Sequence, residues 1–255
     1  MRKAFVCTSL GHRRCAGGCF FEGGFDMKSI INYFTIGEIT LWLCSTVGII
    51  ISFFLFDGSN QLTLIASLIG VTSLIFNAKG NPFGQILMIV FSLIYGVISY
   101  SFAYYGEMIT YLFMTMPMSI VALVTWLRNP YHGKKSEVLV NHIQKKEYFF
   151  IYFITLIVTV IFYFSLSALR TNNIIPSTIS VTTSFLAVYL TFRRSPYYAI
   201  GYAANDLVLI VLWVLAAIED RKYISVIVCF IAFLLNDIYG FINWKRMGER
   251  QANDL

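Results

Sequence analysis

Apolar residues fill this chain in long runs separated by short polar breaks. Read from break to break, the runs cover 35–56, 61–78, 83–104, 108–127, 147–168, 174–192, 197–218 and 223–244. Each is close to the roughly 20 residues that a helix needs to cross a bilayer. The breaks carry turn formers: DGSNQ at 57–61, KGNP at 79–82, YYGE at 104–107, RTNNIIP at 170–176, RRSP at 193–196 and EDRK at 219–222. The pattern predicts an all-α integral membrane protein with eight transmembrane helices. The longest polar segment, RNPYHGKKSEVLVNHIQKKE at 128–147, separates two groups of four. The expected division is an N-terminal extension over 1–34, a first membrane half over 35–127, a loop over 128–146, a second half over 147–244 and a tail over 245–255.

Composition agrees. Hydrophobic residues make up 58% of the chain and charged residues 13%, with mean hydropathy +0.71. Soluble domains average about 25% charged residues, so too few are present to cover a water-facing surface. The net charge of +6 is not a nucleic-acid signal, because the basic residues sit between the apolar runs rather than on one patch. They do fix an orientation. The N-terminus, the breaks after helices 2, 4 and 6, and the C-terminus hold 16 of the 19 Lys and Arg; the other breaks hold 3. The positive-inside rule then places both termini in the cytoplasm of a multi-pass protein of the cell membrane.

The first 26 residues contain Cys7, His12, Cys15 and Cys19, but their spacing matches no standard zinc pattern. No metal or other cofactor is expected. Met27-Lys28 reads as an alternative start, with the preceding stretch as an extension.

The two halves resemble each other. NPFGQ (81–85) opens helix 3 and SPYYA (195–199) opens helix 7, an offset of 114 that also carries helices 1 and 2 onto 5 and 6. TWLRN (125–129) closes helix 4 and NWKRM (243–247) closes helix 8. An even number of helices separates the copies, so both have the same orientation. This is a parallel repeat about an axis along the membrane normal, an architecture that holds solutes between its halves.

Polar residues inside the runs are the candidates for such a site. Asn205-Asp206 in helix 7 and Asn236-Asp237 in helix 8 both fall roughly 11–13 Å from the cytoplasmic ends at 1.5 Å per residue. A carboxylate in hydrocarbon costs roughly 2.5–3.5 kcal/mol or more and therefore faces a partner or a water-filled cavity. No Lys or Arg lies within the spans to neutralise these two, so either they are protonated or a cationic ligand visits. A single Asn can equally bond across helices to fix packing. Tyr202 and Trp213 follow Asn205 along one helical face, and Asn243 lies near the end of helix 8. In the first half, Ser92 and Ser119 occupy the positions matching the acids, Gln85 and Tyr95 add hydrogen-bonding capacity, and Pro117 is expected to kink helix 4. The expected site is lopsided, acidic from the second half and neutral from the first. Carboxylate, carboxamide and aromatic groups together suit a planar, cationic or sugar-bearing small molecule. The chain contains no nucleophile motif and no phosphate loop of GxxxxGK type, which argues against an enzyme. Short loops argue against a receptor. A proton-coupled importer using Asp206 or Asp237 remains an alternative.

RRSPYYAIGYAANDLVLIVLW, FLLNDIYGFINWKR and KGNPFGQILMIVFSLIYGVISY carry a likeness. Over about residues 35–247 the chain resembles the PnuC family of bacterial vitamin transporters, which share the fold of the SWEET sugar transporters. The resemblance implies two three-helix bundles, helices 2–4 and 6–8, joined by helix 5 as a linking helix, with helix 1 as an N-terminal addition. It implies import of nicotinamide riboside by facilitated diffusion and trapping by a cytoplasmic nicotinamide riboside kinase. Relatives carry thiamine, riboflavin or deoxynucleosides. The expected partners are the small-molecule substrate and the lipid bilayer, without nucleic acid; a homo-oligomer is compatible with the likeness. Asn205 matches the Asn of helix 7 and Trp244 the Trp that closes helix 8. The Trp found in several members four residues before that Asn is Gly201 here.

Overall fold

The computed structural model describes residues 33–58, 60–101, 104–171 and 173–254. Cys7, His12, Cys15, Cys19 and Met27 lie outside them. Ile36–Leu255 form one compact unit. Among the described residues its eight long helices are α1 (Ile36–Asp57), α2 (Gln61–Ala78), α3 (Phe83–Ser101), α4 (Tyr105–Arg128), α5 (Lys145–Ala168), α6 (Ile174–Phe192), α7 (Tyr198–Glu219) and α8 (Arg221–Asn253). All eight are long and apolar enough to cross a membrane. A two-stranded antiparallel hairpin, β1 (Pro130–Tyr131) and β2 (Lys134–Val138), occupies the segment between α4 and α5.

Three features differ from the hydropathy reading. YYGE, expected to be a break, supplies the first turn of α4, which brings Glu107 into the helix. Within α4 the backbone widens into a π-helix over Thr110–Thr115, where the Met116 N–H donates to the Tyr111 carbonyl. Pro117 is the cause: it offers no N–H, and its ring crowds the carbonyl four residues back. Finally, α8 overruns the expected end at 244. Its last turns are held by the hairpin: Val140 N–H donates to Gln251 Oε1 (2.8 Å), Gln251 Nε2 donates to Val138 O (3.1 Å), and Arg250 pairs with Glu137.

Six helices close a ring. α2 packs on α3, α3 on α4, α4 on α6, α6 on α7, α7 on α8, and α8 back on α2. The helices α1 and α5 stand outside it and are the least buried. α1 lies on α2 and α8, pinned by Trp42 Nε1–H to Thr72 Oγ1 (3.1 Å) and by Glu38, which pairs with Lys79 (3.0 Å) and accepts from the Tyr239 hydroxyl (2.8 Å). α5 lies on α6, with Leu166 against the start of α4 at Gly106.

Exchanging the halves maps this arrangement onto itself, down to single bonds. At the end of α2, Gly80 N–H bonds Asn77 O and Asn81 N–H bonds Phe76 O; at the end of α6, Arg194 N–H bonds Thr191 O and Ser195 N–H bonds Leu190 O. Both turns need a left-handed residue, Gly80 (φ 66°) in one and Arg194 (φ 56°) in the other. Beside each turn a tryptophan crosses from the opposite half. Trp126 Nε1–H donates to Thr191 O (3.0 Å) and Trp244 Nε1–H to Asn77 O (2.8 Å). The two indoles meet at 5.4 Å between ring centres, both fully buried. The end of the ring containing this pair, the hairpin and most of the Lys and Arg is called the basic end below; the other is the far end.

Candidate functional site

Between the halves lies a cavity of about 20 Å3, lined by Leu74, Met88, Phe91, Tyr111 and Thr115 from the first half and Ser184, Tyr202, Asn205, Asp206, Phe233 and Asp237 from the second. That is room for about one water, whereas sites for small organic ligands run roughly 300–1,000 Å3. Aromatic layers close it at both ends. On the basic side Tyr198 packs edge-on against Trp244 (5.0 Å) and against Tyr202 (6.1 Å). On the far side Phe91 meets Phe233 (5.6 Å), Tyr95 meets Tyr111 (4.5 Å), and Trp213 Nε1–H donates to the Tyr95 hydroxyl (3.2 Å). Tyr104 and Tyr223 flank Trp213. The ring is therefore shut on both sides in this conformation, and a ligand of any size requires the halves to separate.

The second half supplies the charge, as its Asn-Asp pairs suggest. Asp206 on α7 and Asp237 on α8 are both buried, at 4% exposure each, and line the same small cavity. Asp206 Oδ2 has no partner. Two carboxylates this close in a low-dielectric interior repel strongly, so the pair carries a shared proton or meets a cation. Beside them Asn205 accepts three hydroxyls on Oδ1: Ser180 (3.2 Å), Thr183 (3.0 Å) and Ser184 (3.0 Å). Those bonds hold the carboxamide in one orientation and leave its Nδ2 donors for a ligand.

The other expected site residues stand elsewhere. Asn236 turns to α1, donating to Ser45 Oγ (3.0 Å) and to its own helix at Ala232 O (2.8 Å). Gln85 donates to Asn77 Oδ1 (2.8 Å) between α3 and α2, and Asn243 donates to Ala78 O (2.8 Å). Tyr95 and Trp213 form the far aromatic layer rather than the cavity wall. Ser92 and Ser119 are buried, and the Ser92 hydroxyl has no partner. From the first half the cavity takes Tyr111 and Thr115 instead, both on the π segment of α4, whose extra residue per turn re-aims its side chains. Hydropathy gives no sign of this. The hydroxyl run STISVTTS (177–184) of α6 was the signal in the sequence that could have located the partners of Asn205. Among the described residues no cluster of His, Cys, Asp and Glu has the makings of a metal site.

Comparison with known proteins places this geometry. The family model described as nicotinamide mononucleotide transporter matches residues 60–246. A nicotinamide riboside transporter PnuC of Neisseria mucosa is 24% identical over 220 residues, covering 83% of this chain and 82% of the relative. A protein of the same name from Haemophilus influenzae is 21% identical over 190 residues, covering 74% and 81%. The crystal structure of a vitamin B3 transporter PnuC superposes with a TM-score of 0.78 at 20% identity, covering 90% of this chain and all of that one. The eight-helix fold is thus shared with a solved transporter, and the family model spans most of the ring. The chain belongs to the nicotinamide mononucleotide transporter family.

Proposed function

We propose that this protein imports nicotinamide riboside across the bacterial cytoplasmic membrane by facilitated diffusion, with its basic end and both termini in the cytoplasm. Kinase phosphorylation of the imported nucleoside then traps it. The observation that carries this reading is the Asp206–Asp237 pair beside Asn205, buried between two halves that shut above and below it. A pyridinium offers the positive charge that the carboxyl pair lacks, and Asn205 Nδ2 can donate to the carboxamide oxygen of the ligand. Tyr111, Tyr202 and Phe91 supply faces for a planar ring. The chain itself holds and releases the solute, and it performs no covalent step.

Halves related by an axis along the membrane normal exchange access by rocking about the site between them. Opening at the far end separates the Tyr95–Trp213 layer; opening at the basic end separates Trp126 from Trp244. The test is calorimetric binding of nicotinamide riboside to the purified protein in detergent, with thiamine, riboflavin and deoxynucleosides as comparison ligands. Asp206→Asn and Asp237→Asn are each expected to weaken nicotinamide riboside binding about tenfold or more, the loss of one charge-assisted contact. Unchanged affinity in both variants would refute the assignment. A second reading, proton coupling, is favoured by two buried carboxyls lining one cavity. Uptake into proteoliposomes that accelerates under an inward proton gradient supports it, and equal rates with and without the gradient sink it.

A further inference from the structure

A third carboxyl group lies outside the cavity wall. Glu107, at the start of α4, is 3% exposed, and its Oε2 is buried without a hydrogen-bond partner. Its Oε1 accepts from Ser180 Oγ (3.1 Å), the same hydroxyl that reaches Asn205 Oδ1 (3.2 Å). The single Ser180 proton is thus shared between Glu107 and the carboxamide oxygen of the central site.

Its depth follows from helix geometry. Glu107 lies four residues before Tyr111 on α4, and Ser180 lies four before Ser184 on α6. Tyr111 and Ser184 both line the cavity. On α6, a regular helix, residues four apart share a face, one turn or about 5.4 Å apart. That step leads from the cavity toward the far end to Ser180, and Glu107 stands at the same level, bonded to it. Tyr111, which follows Glu107 on α4 and lines the cavity, packs on Tyr95 at 4.5 Å between ring centres. Among the described residues no Lys, Arg or His hydrogen-bonds or ion-pairs with it.

A buried carboxyl with one oxygen unsatisfied is costly to a membrane protein and is retained where a ligand visits. A carboxylate between the far end and a cavity lined by Tyr111 suits an organic cation, by charge at Glu107 and by cation–π attraction to the Tyr95–Tyr111 ring pair. The structure is best explained, we propose, if Glu107 forms an outer subsite that receives the positively charged ring of the solute on its way from the far end to the Asp206–Asp237 pair, and thereby selects cationic over neutral nucleosides. This rests on the transport reading above and names a specificity residue within it.

The experiment compares two probes of nearly the same shape and opposite charge class, nicotinamide riboside and its uncharged 1,4-dihydro form. Binding and proteoliposome uptake of each are measured for the wild type, Glu107→Gln and Glu107→Asp. The expected result is that Glu107→Gln raises KM for the cation at least tenfold, leaves the dihydro form within about twofold, and so erases the preference for charge. Glu107→Asp restores part of it. Retained handling of the neutral probe shows that the variant is folded. If Glu107→Gln leaves the cation unchanged, or weakens both probes equally, the carboxyl is a packing group and the subsite is refuted while the transport reading stands. If the wild type binds neither probe, the transport reading fails and the subsite with it.

Discussion

Gly201 offers the sharpest single test of how α6 and α7 are packed. A Cβ built there would stand 2.9 Å from Ala187 Cα, 3.0 Å from its Cβ and 3.1 Å from its backbone nitrogen. Carbon atoms rest at about 3.5–4.0 Å. Two of the three obstructions are backbone, so no rotamer change relieves them and one helix must shift by roughly half an ångström. Overpacking of this kind costs about 1–3 kcal/mol. Replacing a helical glycine by alanine would otherwise gain up to about 1 kcal/mol. Gly201→Ala is therefore expected to be destabilising by about 1–2 kcal/mol net. Gly48 on α1 is the control, because a Cβ there meets nothing within 4 Å. Tryptophan fluorescence melts in detergent are expected to place Gly201→Ala below the wild type and Gly48→Ala at or above it. Because Asn205 follows one turn later on the same helix, nicotinamide riboside affinity should fall in Gly201→Ala as well. A Gly201→Ala protein that melts with or above Gly48→Ala would refute the close approach. The same contact leaves no space for an indole at 201, because Ala187's backbone lies beneath it.

Two further expectations concern the basic end. Arg194 holds a left-handed backbone that costs a non-glycine residue about 1–2 kcal/mol, so Arg194→Gly should raise the melting temperature despite losing the bond from Arg194 Nη1 to Leu139 O; a fall would show that this bond outweighs the strain. Trp126→Phe and Trp244→Phe each remove one indole donor, expected to cost about 1 kcal/mol, and because the rings touch, a double-mutant cycle should give a coupling of about 0.5 kcal/mol or more; strictly additive losses would mean that the two crossings act independently.

The helices were legible because hydropathy reports where a chain can rest in lipid. All eight runs begin within three residues of the observed helix, α4 included, and the repeat reappears as matched bonds at Asn77 and Thr191. What hydropathy does not report is facing. Asn205 and Asn236 look alike in sequence, yet one turns to the cavity and the other to Ser45 on α1, because α1 covers that flank of α8. Glu107 was read as part of a break because YYGE combines a glycine with a charge. Only the packing of Gly106 against Leu166 shows that the segment continues into the bundle. Tyr111 and Thr115 enter the site through the π segment, a change of register that no helical wheel with a fixed 3.6-residue period would place.

The crossed tryptophans bear on how such a protein could have arisen. Each half gives one indole to its counterpart and receives one, so a four-helix chain pairing with itself about a two-fold axis would already have possessed the complete device. Such an ancestor would have offered its solute two identical walls. A nucleoside is not symmetric: one end is a charged ring and the other a sugar. Recognising both ends requires walls that differ, and only after the copies were fused could Asp206 and Asp237 be held on one side while Tyr111 and Thr115 formed an uncharged wall on the other. In this chain the shared mechanics remain duplicated, and the chemistry has been divided between the copies.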